Sequence, residues 1–167
     1  MIVSIGVLAL VTLQRLSELV IARRNTARLL ARGAVETGAG HYPVMVLMHA
    51  AWLIGLWALA WDQPVRVGWL MFFAVLQAGR IWVLATLGAR WTTRIITLPG
   101  EPLVKKGPFR FVSHPNYLVV TAEILVLPLV FGLWEYGLVF SLLNAAMLWV
   151  RIKAEAGALR AATGSTV

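Results

Sequence analysis

Five long apolar stretches constrain the fold of this chain more than any other feature. They cover residues 1–22, 43–61, 67–89, 118–134 and 137–150. A helix needs about 20 residues to cross the hydrocarbon core of a bilayer, with a range of about 17–25. The first three stretches meet this requirement, whereas the fourth is at the lower limit and the fifth is short. We therefore expect one all-α integral membrane domain over residues 1–167, with five transmembrane helices.

Composition favours a membrane over an aqueous setting. Hydrophobic residues make up 60% of the chain and charged residues 13%, against about 45–50% and about 25% in soluble domains. The mean hydropathy of +0.80 excludes intrinsic disorder. The chain has no cysteine, so disulfides, thiolate metal sites and a cysteine nucleophile are excluded, and no metal site is assigned.

The basic residues are concentrated in three segments between and after the apolar stretches. These are residues 23–42 (Arg23, Arg24, Arg28, Arg32), residues 90–116 (Arg90, Arg94, Lys105, Lys106, Arg110) and the tail 151–167 (Arg151, Lys153, Arg160). The connection at 62–66 holds only Arg66. Because lysine and arginine favour cytoplasmic loops, the N-terminus is predicted outside and the C-terminus in the cytoplasm. The net charge of +8 is then explained by topology and membrane lipids, which disfavours a nucleic-acid partner.

The last two apolar stretches are separated only by Glu135 and Tyr136. This spacing predicts a tight helical hairpin, and a re-entrant hairpin that does not fully cross is the alternative. Before it, the polar loop at 90–116 is punctuated by the turn signals Pro99-Gly100 and Gly107-Pro108. A loop of this length in a small protein is usually functional.

Four ionisable residues lie inside the apolar stretches: Arg15, Glu18, Arg80 and Glu123. Such groups cost about 2.5–3.5 kcal/mol at mid-membrane, so they usually face the bundle interior and pair. Arg15 and Glu18 share a helix face and are expected to pair with each other. Arg80 and Glu123 lie on different spans, so they could form an interhelical pair or line a polar cavity.

The densest group of reactive side chains surrounds His114-Pro115-Asn116-Tyr117. Proline fits the first position of a helix, so a helix is predicted to start at Pro115. The free amides and positive dipole end of that helix would form an anion site at the cytoplasmic interface, beside His114 and Tyr117. A capped helix start with an interfacial tyrosine is the simpler alternative.

Arg151 and Glu155 follow the fifth stretch and are four residues apart. On a helix that continues from this stretch, the two side chains share one face. The spacing is compatible with a solvated ion pair worth about 0.3–0.5 kcal/mol or with a functional pair.

Together these motifs resemble the isoprenylcysteine carboxyl methyltransferase family of integral membrane enzymes. The resemblance rests on Gly107-Pro108-Phe109-Arg110, His114-Pro115-Asn116-Tyr117, the hairpin, Arg151 and Glu155. Residues 80–95 and Pro99-Gly100 are similar to a small bacterial branch. That branch is associated with O-methylation of alkylpyrone or alkylresorcinol lipids. The resemblance therefore implies a protein of the bacterial inner membrane.

The resemblance implies S-adenosylmethionine as cofactor, in a pocket on the cytoplasmic side. By position, the cofactor-binding residues are Glu101, Pro102, Leu103, Val104, Phe109, His114, Pro115, Asn116, Tyr117 and Glu155. Arg151 is implied to contact the substrate, and Arg151, His114 and Glu155 are the candidate catalytic residues. Three positions depart from the family pattern: Phe109 lacks a tyrosine hydroxyl, Glu101 replaces a histidine, and Ala156 replaces a glutamate. These departures argue against a prenylated cysteine without removing the cofactor site.

The expected activity is O-methylation of a lipophilic acceptor that enters from the bilayer. The acceptor is either an alkylpyrone- or alkylresorcinol-like lipid or an isoprenylcysteine-type carboxylate. An anionic oxygen needs a cationic holder, which Arg151 can supply. A phenol needs a base, for which His114 is the first candidate and Glu155 or Glu123 the second. An NADPH-dependent membrane reductase and a non-enzymatic membrane subunit are the alternative functions.

Overall fold

The computed structural model describes the backbone of residues 1–164 and the side chains of residues 1–157. Five α-helices are described: α1 (Ile2–Ala31), α2 (Tyr42–Ala60), α3 (Val67–Leu87), α4 (Pro115–Val130) and α5 (Trp134–Gly164). Two short strands complete the fold, β1 (Val35–Thr37) and β2 (Ile95–Thr97). The side chain of Arg160, counted above among the basic residues of the tail, lies outside the described residues.

Four of the described helices are long and apolar enough to cross a membrane. They are α1, α2 with its preceding turn, α3 with its following turn, and α5 as far as Gly157. The chain is thus a mostly helical integral membrane protein. The expected continuation of a helix beyond the fifth apolar stretch is confirmed, because α5 runs without a break through the polar residues after Val150. The short helix is α4, which has 16 residues, so five full crossings stay a prediction.

The hairpin between α4 and α5 turns earlier than the sequence suggested. Glu135 and Tyr136 lie in the first turn of α5, so the prediction that they form the turn was wrong. The break occurs at Gly132, where φ is 78°. There the Leu133 amide donates to the Pro128 carbonyl at 3.0 Å and the Gly132 amide to the Leu129 carbonyl at 3.1 Å. This pair of hydrogen bonds is a Schellman motif, in which a glycine ends the helix.

The two strands join the connections that follow α1 and α3. They pair antiparallel, with Glu36 opposite Ile96, and Arg94 donates to both carboxylate oxygens of Glu36 at 2.8 Å. No strand was predicted here, because three-residue strands leave no periodic pattern in a polar loop. The sheet brings two of the three basic segments to the same end of the bundle.

The four ionisable residues of the apolar stretches form one buried network. Arg80 donates to Glu18 with Nε and Nη2, both at 2.5 Å, and to Glu123 with Nη1 at 2.9 Å. Arg15 donates to Glu123 at 2.7 Å and to Glu18 at 3.2 Å. Glu123 is fully buried. The predicted Arg15–Glu18 pair is thus confirmed, and of the two alternatives for Arg80 and Glu123 the structure shows the interhelical pair. The two pairs merge into a network that links α1, α3 and α4.

Gly107 begins the turn that leads into the His114 segment, and its φ is +56°. A Cβ at Gly107 would lie 2.4 Å from Thr86 Oγ1, whereas a Cβ at Gly100 (φ +79°) would meet no atom within 4 Å. The left-handed conformation costs an L-residue about 1–2 kcal/mol, and the clash adds to this cost. We expect Gly107→Ala to lower the melting temperature in detergent more than Gly100→Ala does. Equal losses in the two variants would show that Thr86 does not restrict this turn.

Candidate functional site

The helix start predicted at Pro115 is confirmed. Pro115 occupies the first turn of α4, and the His114 carbonyl accepts from the amides of Tyr117 at 3.1 Å and Leu118 at 3.3 Å. The His114 ring stacks on the Tyr117 ring with centroids 5.1 Å apart. Both side chains therefore stand at the end of α4 nearest the two-stranded sheet.

The α5 helix brings Glu155 to this helix start. The Tyr117 hydroxyl donates to Glu155 Oε2 at 2.8 Å, and His114 Nδ1 lies 3.7 Å from the same oxygen. The structure thus places together the His114–Tyr117 segment and the α5 tail, which the sequence separates by more than 30 residues. The cluster therefore holds a carboxylate, a phenol and an imidazole in contact with one another.

Arg151 lies beside the cluster as a buried cation. Only 8% of the residue is exposed, and its guanidinium carbon is 5.6 Å from the centroid of the Tyr117 ring. Nη1 donates to Met45 Sδ at 2.8 Å and Nη2 to the Thr93 carbonyl at 3.2 Å. Among the described residues, no carboxylate forms an ion pair with Arg151, and Glu155 turns to Tyr117 instead. The described side chains therefore do not form the solvated Arg151–Glu155 ion pair that the sequence allowed.

A buried cation without an acidic partner is costly, and an anionic ligand would compensate it. The guanidinium can donate two parallel N–H groups to one oxyanion group, a geometry that binds carboxylates and similar anions strongly. Among the described residues, Arg151 donates to a thioether and a backbone carbonyl, neither of which carries charge. The site is thus electrostatically suited to an anion at Arg151.

The implied cofactor-lining stretch at 101–104 makes its polar contacts elsewhere. Glu101 is hydrogen-bonded to Arg32 and lies 3.5 Å from Arg90, and the Pro102 carbonyl accepts from Arg90 at 3.0 Å. Leu103 is exposed and Val104 half-buried. Across the described residues, no hydrogen bond or ion pair connects this stretch to the His114 cluster, so its role in cofactor binding stays a prediction.

The family resemblance implies two further site residues. Phe109 precedes His114 in the sequence, and Asn116 lies between His114 and Tyr117. Phe109 is half-buried in a short helical turn at Gly107–Arg110. The side-chain oxygen of Asn116 is buried and has no hydrogen-bond partner. Buried polar atoms are normally satisfied, so this oxygen is a candidate acceptor for a ligand donor.

The α2 helix and the segment just before β2 supply site residues that sequence reasoning missed. Besides Met45 and Thr93, the Tyr42 hydroxyl lies 3.0 Å from Thr93 Oγ1, and the Arg94 guanidinium carbon is 4.5 Å from the centre of the Tyr42 ring. Hydrogen bonds to Glu36 raise the pKa of Arg94 above its ordinary value, because the carboxylate favours the charged form. The sequence feature that could have indicated this part of the site is the polar pair His41-Tyr42, which comes just before an uncharged apolar stretch.

An apolar groove runs between α2 and α5, and its lining includes Val44 and Val150, the chain neighbours of Met45 and Arg151. Its volume is about 530 Å³. The lining residues include Leu47, Met48 and Ala51 of α2 and Leu143, Met147 and Val150 of α5. A second cavity of about 300 Å³ lies between α1 and the end of α3, lined by Asn25, Arg28 and Trp91 among others. Neither cavity is lined by His114 or Glu155, so the cofactor pocket stays a prediction.

The sequence matches a known family over most of the site. The model of the isoprenylcysteine carboxyl methyltransferase (ICMT) family matches residues 69–161, which is more than half of the chain. The chain belongs to the ICMT family. The matched region holds α3, β2, α4 and most of α5, and the family consists of methyltransferases. The chain is therefore a membrane methyltransferase, in which the α2 residues of the site lie outside the matched region.

Two relatives extend the similarity beyond the region that defines the ICMT family. The uncharacterized protein YpbQ of Bacillus subtilis (strain 168) is 40% identical over 158 residues, covering 92% of this chain and 94% of the relative. An uncharacterized protein of Haemophilus influenzae (strain ATCC 51907 / DSM 11121 / KW20 / Rd) is 27% identical over 153 residues, covering 87% and 88%. No solved structure matches this chain.

Proposed function

We propose that this protein is an S-adenosylmethionine-dependent O-methyltransferase whose acceptor is a membrane lipid with an acidic oxygen. The observation that carries the proposal is Arg151, a buried cation without a carboxylate partner among the described residues. It follows Val150, which lines an apolar groove. The groove suits a hydrocarbon chain, and the guanidinium suits the oxygen at its head. Chain burial contributes about 0.8 kcal/mol per CH₂.

The residues at the start of α4 fit the proposed cofactor. S-adenosylmethionine carries amino groups and a positive sulfonium, and when bound it supplies an electrophilic methyl group. The Glu155 carboxylate and the unpartnered oxygen of Asn116 can accept hydrogen bonds from such amino groups. His114 and Tyr117 fix the Glu155 carboxylate by direct contact. These contacts support the assignment of His114–Tyr117 and Glu155 to the cofactor.

Arg151 then positions the acceptor. Its forked N–H groups hold the acceptor oxygen and stabilise the negative charge there, while the groove fixes the direction of the lipid chain. Holding two reactants at near-attack distance contributes up to about 7–11 kcal/mol. Alignment and electrostatics are thus the contribution of the protein, since the cofactor carries the reactive group. The acceptor classes are a hydroxylated alkylpyrone- or alkylresorcinol-like lipid and an isoprenylcysteine-type carboxylate.

The proposed topology places the site at the inner face of a bacterial cytoplasmic membrane. The β1–β2 pairing supports this, because it holds the basic segments after α1 and α3 at one end of the bundle. The contacts of α5 with both strands bring the third basic segment to the same end. Because basic residues favour the cytoplasm, the N-terminus is proposed outside and the C-terminus inside.

Labelling of membrane lipids tests this function. Membranes from cells with and without the protein are incubated with radiolabelled S-adenosylmethionine, and the lipids are separated and identified. We expect one labelled lipid that depends on the protein and is absent with Arg151→Ala. Alkaline treatment releases the label from a methyl ester but not from a methyl ether, which distinguishes the two acceptor classes. Label in no lipid, or on nitrogen or carbon, would contradict the proposal.

A further inference from the structure

His49 lies on the face of α2 that carries Met45 toward Arg151. The two residues are four positions apart, so they are neighbours on one side of the helix. Met45 Sδ accepts from Arg151 at 2.8 Å, and Arg151 is one of three arginines whose charges act on the His49 ring. The other two, Arg15 and Arg80, belong to the buried network with Glu18 and Glu123. The imidazole is half-buried and lies one turn along α2 from Met45, which contacts Arg151.

The hydrogen bond of His49 fixes which ring nitrogen is available. Nδ1 lies 2.8 Å from the Met45 carbonyl oxygen. A carbonyl only accepts, so Nδ1 carries the hydrogen and the neutral ring has its lone pair on Nε2. In the part of the chain that the structure describes, no side chain or backbone group is hydrogen-bonded to Nε2. This nitrogen is therefore free to accept a proton.

His114, the first candidate base from the sequence, is placed differently. Its Nδ1 faces Glu155 at 3.7 Å, and 39% of its side chain is exposed. It stacks on Tyr117 among the residues assigned to the cofactor. His49 instead follows Met48, which lines the groove proposed for the lipid chain. Of these two histidines, His49 is the one that lies one helix turn from a residue in contact with Arg151.

We propose that His49 is the general base of the reaction, and hence that the acceptor oxygen enters as a hydroxyl of a phenol or enol ring lipid. This inference rests on the proposed function. The hydroxyl gives its proton to Nε2, and Arg151 stabilises the oxyanion. The oxygen forms a bond to the methyl carbon as the carbon–sulfur bond breaks, with the electron pair staying on sulfur. The proton then passes from His49 to water. A carboxylate acceptor, already ionised, has no use for this base.

The substitution that tests this proposal is His49→Asn. The asparagine amide can donate to the Met45 carbonyl in place of Nδ1 but has no nitrogen that takes up a proton. Activity is measured with a 5-alkylresorcinol and with its ring-fluorinated analogue, whose hydroxyl is more acidic. We expect His49→Asn to lower kcat by about 10²–10⁴-fold with the parent lipid, and by less with the fluorinated one. Added imidazole should restore part of the activity. Ala50→Ser, on the exposed side of α2, should leave both rates unchanged.

Two readouts are independent of turnover. Calorimetry with S-adenosylhomocysteine should give the same Kd for wild-type and His49→Asn protein. ¹⁵N spectra of histidine-labelled protein should show one neutral ring with the hydrogen on Nδ1, which is lost in His49→Asn. A protonated ring, or the hydrogen on Nε2, would overturn the proposal.

The outcomes separate this inference from the proposed function. Equal losses of activity with both resorcinols would show a structural role for His49 and overturn the proposal. Wild-type protein that methylates only a prenylated cysteine carboxylate would overturn it too, while leaving the proposed function intact. Wild-type protein that methylates none of these lipids, and no hydroxylated alkylpyrone either, would overturn both.

Discussion

Arg151→Ala is expected to reduce kcat/KM for methyl transfer by at least about 10²-fold, the size of effect seen when one charge-stabilising donor is removed from an active site. The variant lacks the only buried cation described next to Tyr117 and the groove. The cofactor contacts assigned to His114 and Glu155 do not pass through it. Binding of S-adenosylhomocysteine, measured by calorimetry, should therefore change less than about threefold, well below the tenfold that 1.4 kcal/mol represents.

Two further substitutions sharpen this prediction. Arg151→Lys keeps the charge but loses the forked donor geometry, so it should retain only part of the activity. His114→Ala should show the opposite pattern, a weaker affinity for S-adenosylhomocysteine, because His114 contacts Glu155 and Tyr117. Loss of cofactor binding in Arg151→Ala, or full activity in that variant, would remove Arg151 from the acceptor site.

Glu123→Ala is expected to be the most destabilising single substitution in the described part of the bundle. Glu123 is fully buried and accepts from Arg80 at 2.9 Å, Arg15 at 2.7 Å and Gln77 at 2.7 Å. Its removal leaves two arginines to share one carboxylate. Breaking a buried ion pair from one side costs about 3–5 kcal/mol.

The melting temperature and the free energy of unfolding in mixed micelles measure this effect. Glu135→Ala is the matched control, since Glu135 is exposed in the first turn of α5. Surface substitutions usually change stability by less than about 0.5 kcal/mol. If the Glu123→Ala and Glu135→Ala variants have the same melting temperature, the buried network does not hold α1, α3 and α4 in place.

The sequence predicts the helical parts of this fold well, because membrane spans have a strong apolar signal. It places α2 and α3 within a few residues and the start of α4 at Pro115. It also predicts the pairing of Arg15, Glu18, Arg80 and Glu123, since charges in lipid require partners. The end of α4 was missed because it depends on hydrogen bonds at Gly132. The continuation of the last helix beyond Val150 was expected.

The site was predicted only in part. Sequence order and family resemblance indicated His114, Tyr117, Arg151 and Glu155, which the structure brings together. They did not indicate Met45 or Thr93, whose contacts with Arg151 depend on how α2 and β2 pack. A thioether and a backbone carbonyl have no chemical signature in a sequence. His49 was overlooked because the second stretch carries no formal charge.

The two-stranded sheet fastens the connection after α1 to the connection after α3 through three paired positions. In the proposed function, α2 belongs to the acceptor side of the site and the start of α4 to the donor side. Substitutions on the face of α2 that carries Met45 would then reshape the acceptor side and leave the residues of α4 unchanged. New acceptor preferences in proteins of this architecture are thus expected to arise from changes in the first 60 residues, where a search for altered selectivity should begin.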